Sequence, residues 1–170
     1  MRKSVPIIAF LTSAVILVGC QGAKVPLGVA SDSHVNQNLL GKWTSAGTSA
    51  GEGKTWLVVD RLDEHEYFIE IWEEDDKQDK INLRAFTTPV DGVLFASVRC
   101  IGCDEEDEYF FFKYERSVNG TLRIQGLNEN LYGTVLNRFE RSDALRAYVK
   151  RNLEEATFFD DEVMVFSQDG

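Results

Sequence analysis

Apolar and polar residues alternate along much of the chain after residue 40, and short turn sequences separate the alternating segments. Ile81 to Phe86 (INLRAF) shows this period most clearly. A period of two places successive side chains on opposite faces of a strand, so one face of this segment is expected to be buried and the other wet. Similar patterns predict strands at Gly41 to Gly47, Thr55 to Leu62, Tyr67 to Trp72, Val93 to Val98, Tyr109 to Tyr114, Leu122 to Gly126 and Val163 to Phe166.

Short turns link these predicted strands. Asp91-Gly92 and Asn119-Gly120 each stand between two strand-like segments, which is a strong hairpin signal. Parallel pairing would need crossover connections of a dozen or more residues, and the chain leaves no room for them. An open sheet of this many strands would expose two edges, whereas closure removes both. We therefore predict a mainly β protein, an antiparallel up-and-down β-barrel of about eight strands.

One helix is predicted late in the chain, at about residues 142–153. Ser142 is a suitable N-cap, and Asp143 suits the positive start of a helix. Leu145, Tyr148, Val149 and Leu153 share one face, so the helix is expected to pack against the barrel. Residues 127–141 are compatible with either a strand or an irregular loop.

The first residues have the marks of a secretory signal. Arg2 and Lys3 form a basic start, and an apolar run from Ile7 to Val18 follows. The run is shorter than the roughly 20 residues that span a bilayer, which favours a cleaved signal over a retained membrane helix.

The end of this run, Leu17-Val18-Gly19-Cys20, resembles the lipobox of bacterial lipoproteins. The resemblance implies cleavage between Gly19 and Cys20 and attachment of lipid to Cys20, although an ordinary signal with a chance cysteine is the alternative. The chain then divides into a signal peptide (1–19), a lipidated tether (20–36) and a barrel domain (37–170). Gln21 after the cysteine resembles the outer-membrane sorting class, which implies the periplasmic side of the outer membrane in a host with two membranes.

A second resemblance rests on Gly41 and Trp43. Gly-x-Trp at the start of the first strand, followed by a strand meander and a late helix, is similar to the lipocalin and calycin group. The resemblance implies a lipocalin-like barrel in which Trp43 closes one end. That group usually places a basic residue after the helix, over the tryptophan, but no Lys or Arg follows Arg151 here. Another antiparallel barrel or a sandwich is the alternative.

Charge narrows the set of partners. Residues 1–19 contain two basic and no acidic residues, so the remainder has 16 basic and 28 acidic residues and a net charge of −12. Nucleic acids and anionic lipids need basic surfaces, so neither is an expected partner.

Cys100 and Cys103 are the cysteines left once Cys20 is assigned to lipid. In an oxidising compartment an even pair favours a disulfide across a hairpin loop. Free thiols, a redox pair and a transient metal site are the alternatives. Asp104 stands where a haem-attachment motif needs histidine, and carboxylates nearby would raise a thiol pKa and weaken it as a nucleophile. We expect no metal and no cofactor.

Other polar groups carry weak signals. The acidic runs Glu73 to Asp76 and Asp104 to Glu108 lack the spacing of an EF-hand, so solvated hairpin tips are favoured over calcium sites. His65, between two glutamates, is more typical of a solvated turn than of acid–base catalysis. Glu70 faces either the barrel interior or water, because alternation alone does not decide which face is buried.

No catalytic motif is present, so the chain is not expected to be an enzyme. We expect a lipid-anchored envelope protein that binds a small apolar or amphipathic molecule in its barrel. A protein–protein adaptor or assembly accessory at the envelope is the alternative, because Tyr109 to Tyr114 places aromatic rings on both faces of a strand. The second face either lies under the helix or binds a partner. The expected partners are the membrane, through the lipid, and a small ligand or an envelope protein.

Overall fold

A computed structural model describes residues 22–45, 53–73, 79–103 and 107–169. The predicted cleavage and lipidation at Gly19 and Cys20 lie outside the described residues, as do parts of the two acidic runs and the last two residues of the first predicted strand. Within the described residues, no helix combines the length and the apolar character needed to cross a membrane.

Eight antiparallel strands form a closed barrel, as the alternation predicts. Each strand pairs with the next, and the last pairs with the first across Trp43 and Gln168. The strands are Gly41–Ser45 (β1), Thr55–Arg61 (β2), Tyr67–Glu73 (β3), Ile81–Val90 (β4), Val93–Cys100 (β5), Phe110–Arg116 (β6), Thr121–Gly126 (β7) and Met164–Gln168 (β8).

The two predicted hairpins form with different loops. Asp91 (φ 53°) and Gly92 (φ 87°) make a two-residue turn between the paired residues Val90 and Val93. Positive φ at both positions matches the twist of the flanking strands and explains the Asp-Gly sequence. The β6–β7 turn has a three-residue loop, one residue longer than the β4–β5 turn. The Ser117 N–H donates to the Thr121 carbonyl at 2.8 Å across this loop, whose last residue, Gly120, has a positive φ angle.

Two α-helices lie in the described part of the chain between β7 and β8: Glu129–Thr134 (α1) and Ser142–Asn152 (α2). The prediction of a strand or an irregular loop for residues 127–141 is wrong where α1 forms. The Asn128 side chain accepts from the Asn130 N–H at 3.0 Å and begins this short helix. Six residues are too few for a visible helical period, so the sequence pattern does not reveal it.

Helix α2 matches the predicted helix, but Ser142 is not its N-cap. The helix begins at Ser142, and Arg141 occupies the cap position without a side-chain bond. The Asp143 carboxylate instead accepts from the Ala144 N–H at 2.9 Å and pairs with Arg141. Leu145 and Val149 are fully buried, so the predicted apolar face packs as expected.

Apolar side chains are buried on both sides of the barrel wall. Inside, Trp43, Leu57, Val59, Leu122 and Phe166 belong to one cluster. Outside, a second cluster includes Phe95, Phe111, Leu136, Leu145 and Val149. Tyr132 of α1 stacks on Phe111 of β6 with ring centroids 6.2 Å apart, so a helix covers this part of the second aromatic face, as one of the two alternatives predicts.

Residues 22–36 pack along the outside of the barrel, and we call this segment the strap. Ala23 and Leu27 have no exposed surface, and the Ala23 backbone exchanges two hydrogen bonds with Tyr109 at 2.9 and 2.8 Å. The Leu27 N–H donates to the Ser97 hydroxyl at 3.3 Å. The small and polar composition of this segment suggests a free tether. In the structure its apolar residues Ala23 and Leu27 instead pack against the outside of the barrel.

Strand alternation divides the connections between two ends of the barrel. One end, which we call the loop end, holds the described strand ends Ser45, Thr55, Glu73, Ile81, Cys100 and Phe110 and the helical segment between β7 and β8. The short turns β2–β3, β4–β5 and β6–β7 lie at the other, the turn end, together with the 3-10 turn Gln37–Leu39. The strap begins at the loop end, beside Tyr109, and reaches the turn end at Asn36.

A candidate ligand cavity inside the barrel

An apolar cavity of about 120 Å³ lies inside the barrel. Strands β2 to β8 and the 3-10 turn before β1 all contribute inward side chains to its lining, among them Leu39, Leu57, Ile69, Leu83, Phe112 and Met164. The alternating pattern that predicts the strands also produces this wall, since every second side chain points inward.

Strand β3 shows which face is inward. Tyr67, Ile69 and Ile71 line the cavity, so Glu70 between them faces outward. Its carboxylate pairs with the Lys80 ammonium at 3.1 Å. Of the two orientations that the sequence allows for Glu70, the structure shows the outward one, and this carboxylate does not line the cavity.

Three hydroxyl groups are the polar side-chain groups of the lining, from Tyr67, Thr87 and Tyr114. The Thr87 and Tyr114 hydroxyl oxygens are 3.0 Å apart, and the Tyr67 hydroxyl accepts from the Asn36 N–H at 2.7 Å. Burial raises the pKa of Tyr114 to about 12, so its phenol stays neutral near pH 7. Among the described residues the lining contains no charged side chain, and its surface is almost wholly apolar because the hydroxyl groups contribute little of it.

The volume of the cavity limits what it can hold. Pockets for drug-sized ligands are about 300–1,000 Å³, whereas an engineered apolar cavity of about 150 Å³ accepts benzene. At about 120 Å³, the cavity is smaller than a pocket for a drug-sized ligand and close in size to one that accepts benzene. It suits a single ring or one short alkyl chain.

Trp43 lies at the turn end, where the resemblance expects it to close the barrel. Its indole is fully buried, and its Nε1–H donates to the Leu39 carbonyl at 2.9 Å. The Arg116 guanidinium, from the end of β6, lies 5.9 Å from the Trp43 ring centroid. A basic residue therefore lies near Trp43, as in the lipocalin pattern, but it comes from β6 and not from the chain after the late helix. The sequence alone does not indicate this, because the contact depends on the closure of the barrel.

Gly41 enters β1 with φ 121°, a conformation that side chains other than glycine rarely adopt. A Cβ atom there would also lie 3.3 Å from the Gln168 side chain of β8. The backbone conformation at the point where β1 meets β8 therefore requires the glycine of the Gly-x-Trp pattern.

Cys100 and Cys103 lie at the loop end, away from the hydroxyl groups. Their sulfur atoms are at disulfide distance, and their Cα atoms are 5.8 Å apart, within the range that a disulfide requires. Cys100 ends β5 opposite Leu83 and is buried. This geometry supports the predicted disulfide across the loop.

Charged groups near the strap form contacts that the sequence pattern does not reveal. Glu66 is buried and pairs with Arg84, whose Nε–H donates to the carboxylate at 2.7 Å, and this bond raises the pKa of the guanidinium. The His65 Nδ1 lies 2.7 Å from the Ser33 carbonyl of the strap. His65 therefore has a structural contact with the strap in addition to its place in a turn.

A second hollow, of about 350 Å³, lies on the barrel wall along β6 and β7. Lys113, Glu115 and Arg123 give it a charged character. The Lys113 ammonium lies 3.7 Å from the Phe159 ring centroid, and burial lowers its pKa. This groove is larger than the interior cavity, but charged side chains line it. The apolar lining of the interior cavity makes that cavity the stronger candidate for an apolar ligand.

Two tryptophans stack on the uncovered outer wall. The Trp56 and Trp72 ring centroids are 6.4 Å apart. The Lys42 ammonium lies 3.8 Å from the Trp56 ring, and the Lys80 ammonium lies 4.6 Å from the Trp72 ring. Lysine side chains therefore already contact both rings.

The chain matches no protein-family model, no curated protein and no solved structure in the comparisons made with each. Among the residues that the structure describes, no group of three or more His, Cys, Asp or Glu side chains is arranged to hold a metal ion. The cavity is consequently interpreted from its own geometry.

Proposed function

We propose that this protein is anchored in the cell envelope by lipid on Cys20 and binds a slim, uncharged, amphipathic molecule inside its barrel. The observation that carries the binding proposal is the apolar cavity of about 120 Å³ in a closed barrel. A chain with only structural needs would be expected to fill such a space, because protein interiors are packed as densely as organic crystals.

The lining favours a neutral ligand over a charged one. An ionised carboxylate buried without a partner is strongly unfavourable, and the cavity offers no cation to pair with it. The hydroxyls of Thr87 and Tyr114 can donate to or accept from an alcohol or carbonyl oxygen. An aliphatic alcohol with a short chain therefore fits better than the corresponding acid.

The lipid anchor is supported by the lipobox-like residues Leu17 to Cys20. The disulfide distance between Cys100 and Cys103 is consistent with an oxidising compartment outside the cytoplasm. The adaptor alternative has less support, because Phe111 on the outer face of β6, the face that motivated it, is fully buried.

A series of unbranched alcohols tests the binding proposal. Hexan-1-ol and octan-1-ol should raise the unfolding temperature of the purified protein, whereas octanoate at pH 7 should not. A ligand at about 100 times its dissociation constant stabilises the folded state by about 2.7 kcal/mol. Equal effects of the alcohol and the acid, or no effect of either, would contradict the proposal.

A cavity-filling variant provides the specific control. Ala96 lines the cavity, so Ala96→Leu should abolish the effect of octan-1-ol while circular dichroism shows an intact barrel. Ala144 is exposed on α2, and Ala144→Leu adds the same atoms outside the cavity. That control variant should respond to octan-1-ol as the unchanged protein does.

The anchor has its own test. Intact mass measurement of the protein from a bacterial host should show cleavage before Cys20 and the added mass of acyl chains. Cys20→Ala should move the protein from the detergent phase to the aqueous phase. Partitioning of the alanine variant into detergent would refute the anchor and leave the cavity proposal unaffected.

A further inference from the structure

We infer that the loop end of the barrel faces the lipid bilayer and that a very short connection holds it there. This inference rests on the proposed lipid anchor and adds the surface that the protein presents to the membrane. It follows from where the strap begins and from how few residues separate that point from Cys20.

The first described residues are fixed to the loop end. The Gly22 N–H donates to the Glu108 carboxylate, and Ala23 forms two backbone hydrogen bonds with Tyr109 at 2.9 and 2.8 Å. Ala23 has no exposed surface. A Cβ atom at Gly22 would lie 2.8 Å from the Glu108 Cβ, so the backbone approaches the barrel as closely as a glycine allows.

Chain length then limits the position of the anchor. Only Gln21 separates Cys20 from Gly22, and an extended chain spans at most about 3.6 Å per residue. The Cα atom of Cys20 must therefore lie within roughly 7 Å of the Gly22 Cα. Strand β4 has ten residues, which at about 3.4 Å each span roughly 30 Å along the strand. A strand tilt of about 35–45° leaves the turn end roughly 22–25 Å away along the barrel axis. A lipid on Cys20 cannot reach the turn end.

The surface chemistry of the loop end suits a zwitterionic bilayer. Ile101, beside the disulfide, is 42% exposed and offers an apolar side chain to the interface. Exposed acidic residues (Asp79, Asp107) and exposed basic residues (Lys54, Lys80) both lie at this end, so its described part has no excess positive charge to attract an anionic surface. We therefore expect this end to rest against neutral headgroups, with the acyl chains as the inserted part.

This orientation also bears on the cavity. Trp43 and Leu39 lie at the turn end, away from the bilayer, and the cavity lies between them and the loop end. An apolar molecule that left the barrel at its loop end would enter the membrane rather than water.

Chemical anchoring tests the orientation independently of natural lipidation. A chain that begins at Cys20 contains every described residue, and the Cys100–Cys103 disulfide leaves Cys20 as its free thiol. We would couple this thiol to a maleimide lipid in phosphatidylcholine vesicles that carry gadolinium on some headgroups. Amide signals of Ile101 and Tyr109 should then show relaxation several-fold faster than those of Gly92 and Gly120 at the turn end.

Two control proteins make the result decisive. Val118 is fully exposed at the turn end, so anchoring a Cys20→Ser, Val118→Cys protein should reverse the pattern. Insertion of about a dozen Gly and Ser residues after Gln21 should remove the difference, because a flexible linker of that length lets the barrel turn. Equal relaxation at both ends with the native connection through Gln21 would overturn the inference. Absence of lipid on Cys20 in the cell would refute the proposed anchor, and intact mass reveals that separately.

Discussion

At the scale of single residues, the Tyr132 hydroxyl connects helix α1 to the barrel wall. It accepts from the Phe111 N–H at 2.7 Å, and the side chain is buried against Phe110 and Phe111. Tyr132→Phe should lower the free energy of unfolding by about 1–3 kcal/mol, since it leaves a buried N–H without an acceptor. Urea unfolding followed by circular dichroism measures this loss.

Tyr148→Phe is the matched control for that change. Tyr148 is half-buried on α2, and its ring contacts Phe139 and Phe158, but no hydrogen bond to its hydroxyl is seen among the described residues. Its loss should change the free energy of unfolding by no more than about 0.5 kcal/mol. Equal losses in the two variants would show that the Tyr132 hydrogen bond has no special weight.

Asp160 gives a pH dependence whose sign can be worked out. Burial raises the pKa of its carboxyl above 3.8, against an opposing hydrogen bond from the Glu129 backbone, and the charges of Glu129, Asp161 and Glu162 also raise it. The folded state then holds this proton more tightly than the unfolded state, so the associated stability is present below pH 3.8 and declines as pH rises through the folded-state pKa.

Asp160→Asn should remove that decline. Its free energy of unfolding should exceed that of the unchanged protein at pH 7, and the two should converge near pH 3.5. Asp161 is an exposed neighbour, so Asp161→Asn removes the same charge without relieving burial and should show a smaller gain. Urea midpoints at both pH values decide the question. A gain that is equal at pH 3.5 and pH 7 would contradict the assigned pKa direction.

At the scale of elements, the strap behaves as part of the barrel domain. Leu27 has no exposed surface, whereas Val29, two residues later, is 58% exposed. Leu27→Ala should destabilise the protein by about 2–5 kcal/mol, as large-to-small core changes do. Val29→Ala should have an effect within about 0.5 kcal/mol. A flexible tether would tolerate both changes equally, so thermal unfolding of the two variants tests whether the strap is packed in solution.

The barrel could be predicted because its strands carry local signals. Alternation marks Ile81 to Phe86, and Asp91-Gly92 matches the positive φ angles that the β4–β5 turn requires. Helix α1 and the strap carry no such signal. The apolar residues near Tyr132 and Leu27 show no regular period, and the burial of these two side chains depends on strands far away in the chain.

The candidate cavity could be predicted only in outline. Alternation shows that one set of side chains faces inward, but not which set, so Glu70 stays ambiguous until the register is known. Whether an interior is open depends on how side chains from β2 to β8 fill a shared space, and no local pattern encodes that volume. The proximity of Thr87 and Tyr114 likewise follows from the barrel's closure, since 27 residues separate them.

At the scale of the whole molecule, excess negative charge should make stability depend on salt. The chain has 18 basic and 28 acidic residues, a net charge of −10, and the surface ion pairs are exposed enough to contribute little. Raising ionic strength from about 0.01 M to about 0.15 M shortens the Debye length from about 30 Å to about 8 Å. Repulsion among the carboxylates is then screened, so the unfolding temperature at pH 7 should rise with sodium chloride.

The same titration near pH 4.7, the isoelectric point of the sequence, provides the control. Net repulsion vanishes there, so added salt should leave the unfolding temperature nearly unchanged. A fall in unfolding temperature with salt at pH 7 would mean that attractive pairs such as Glu66 with Arg84 outweigh the overall repulsion. The double variant Glu66→Gln, Arg84→Gln would then separate the two effects, because it removes the buried pair and leaves the net charge unchanged.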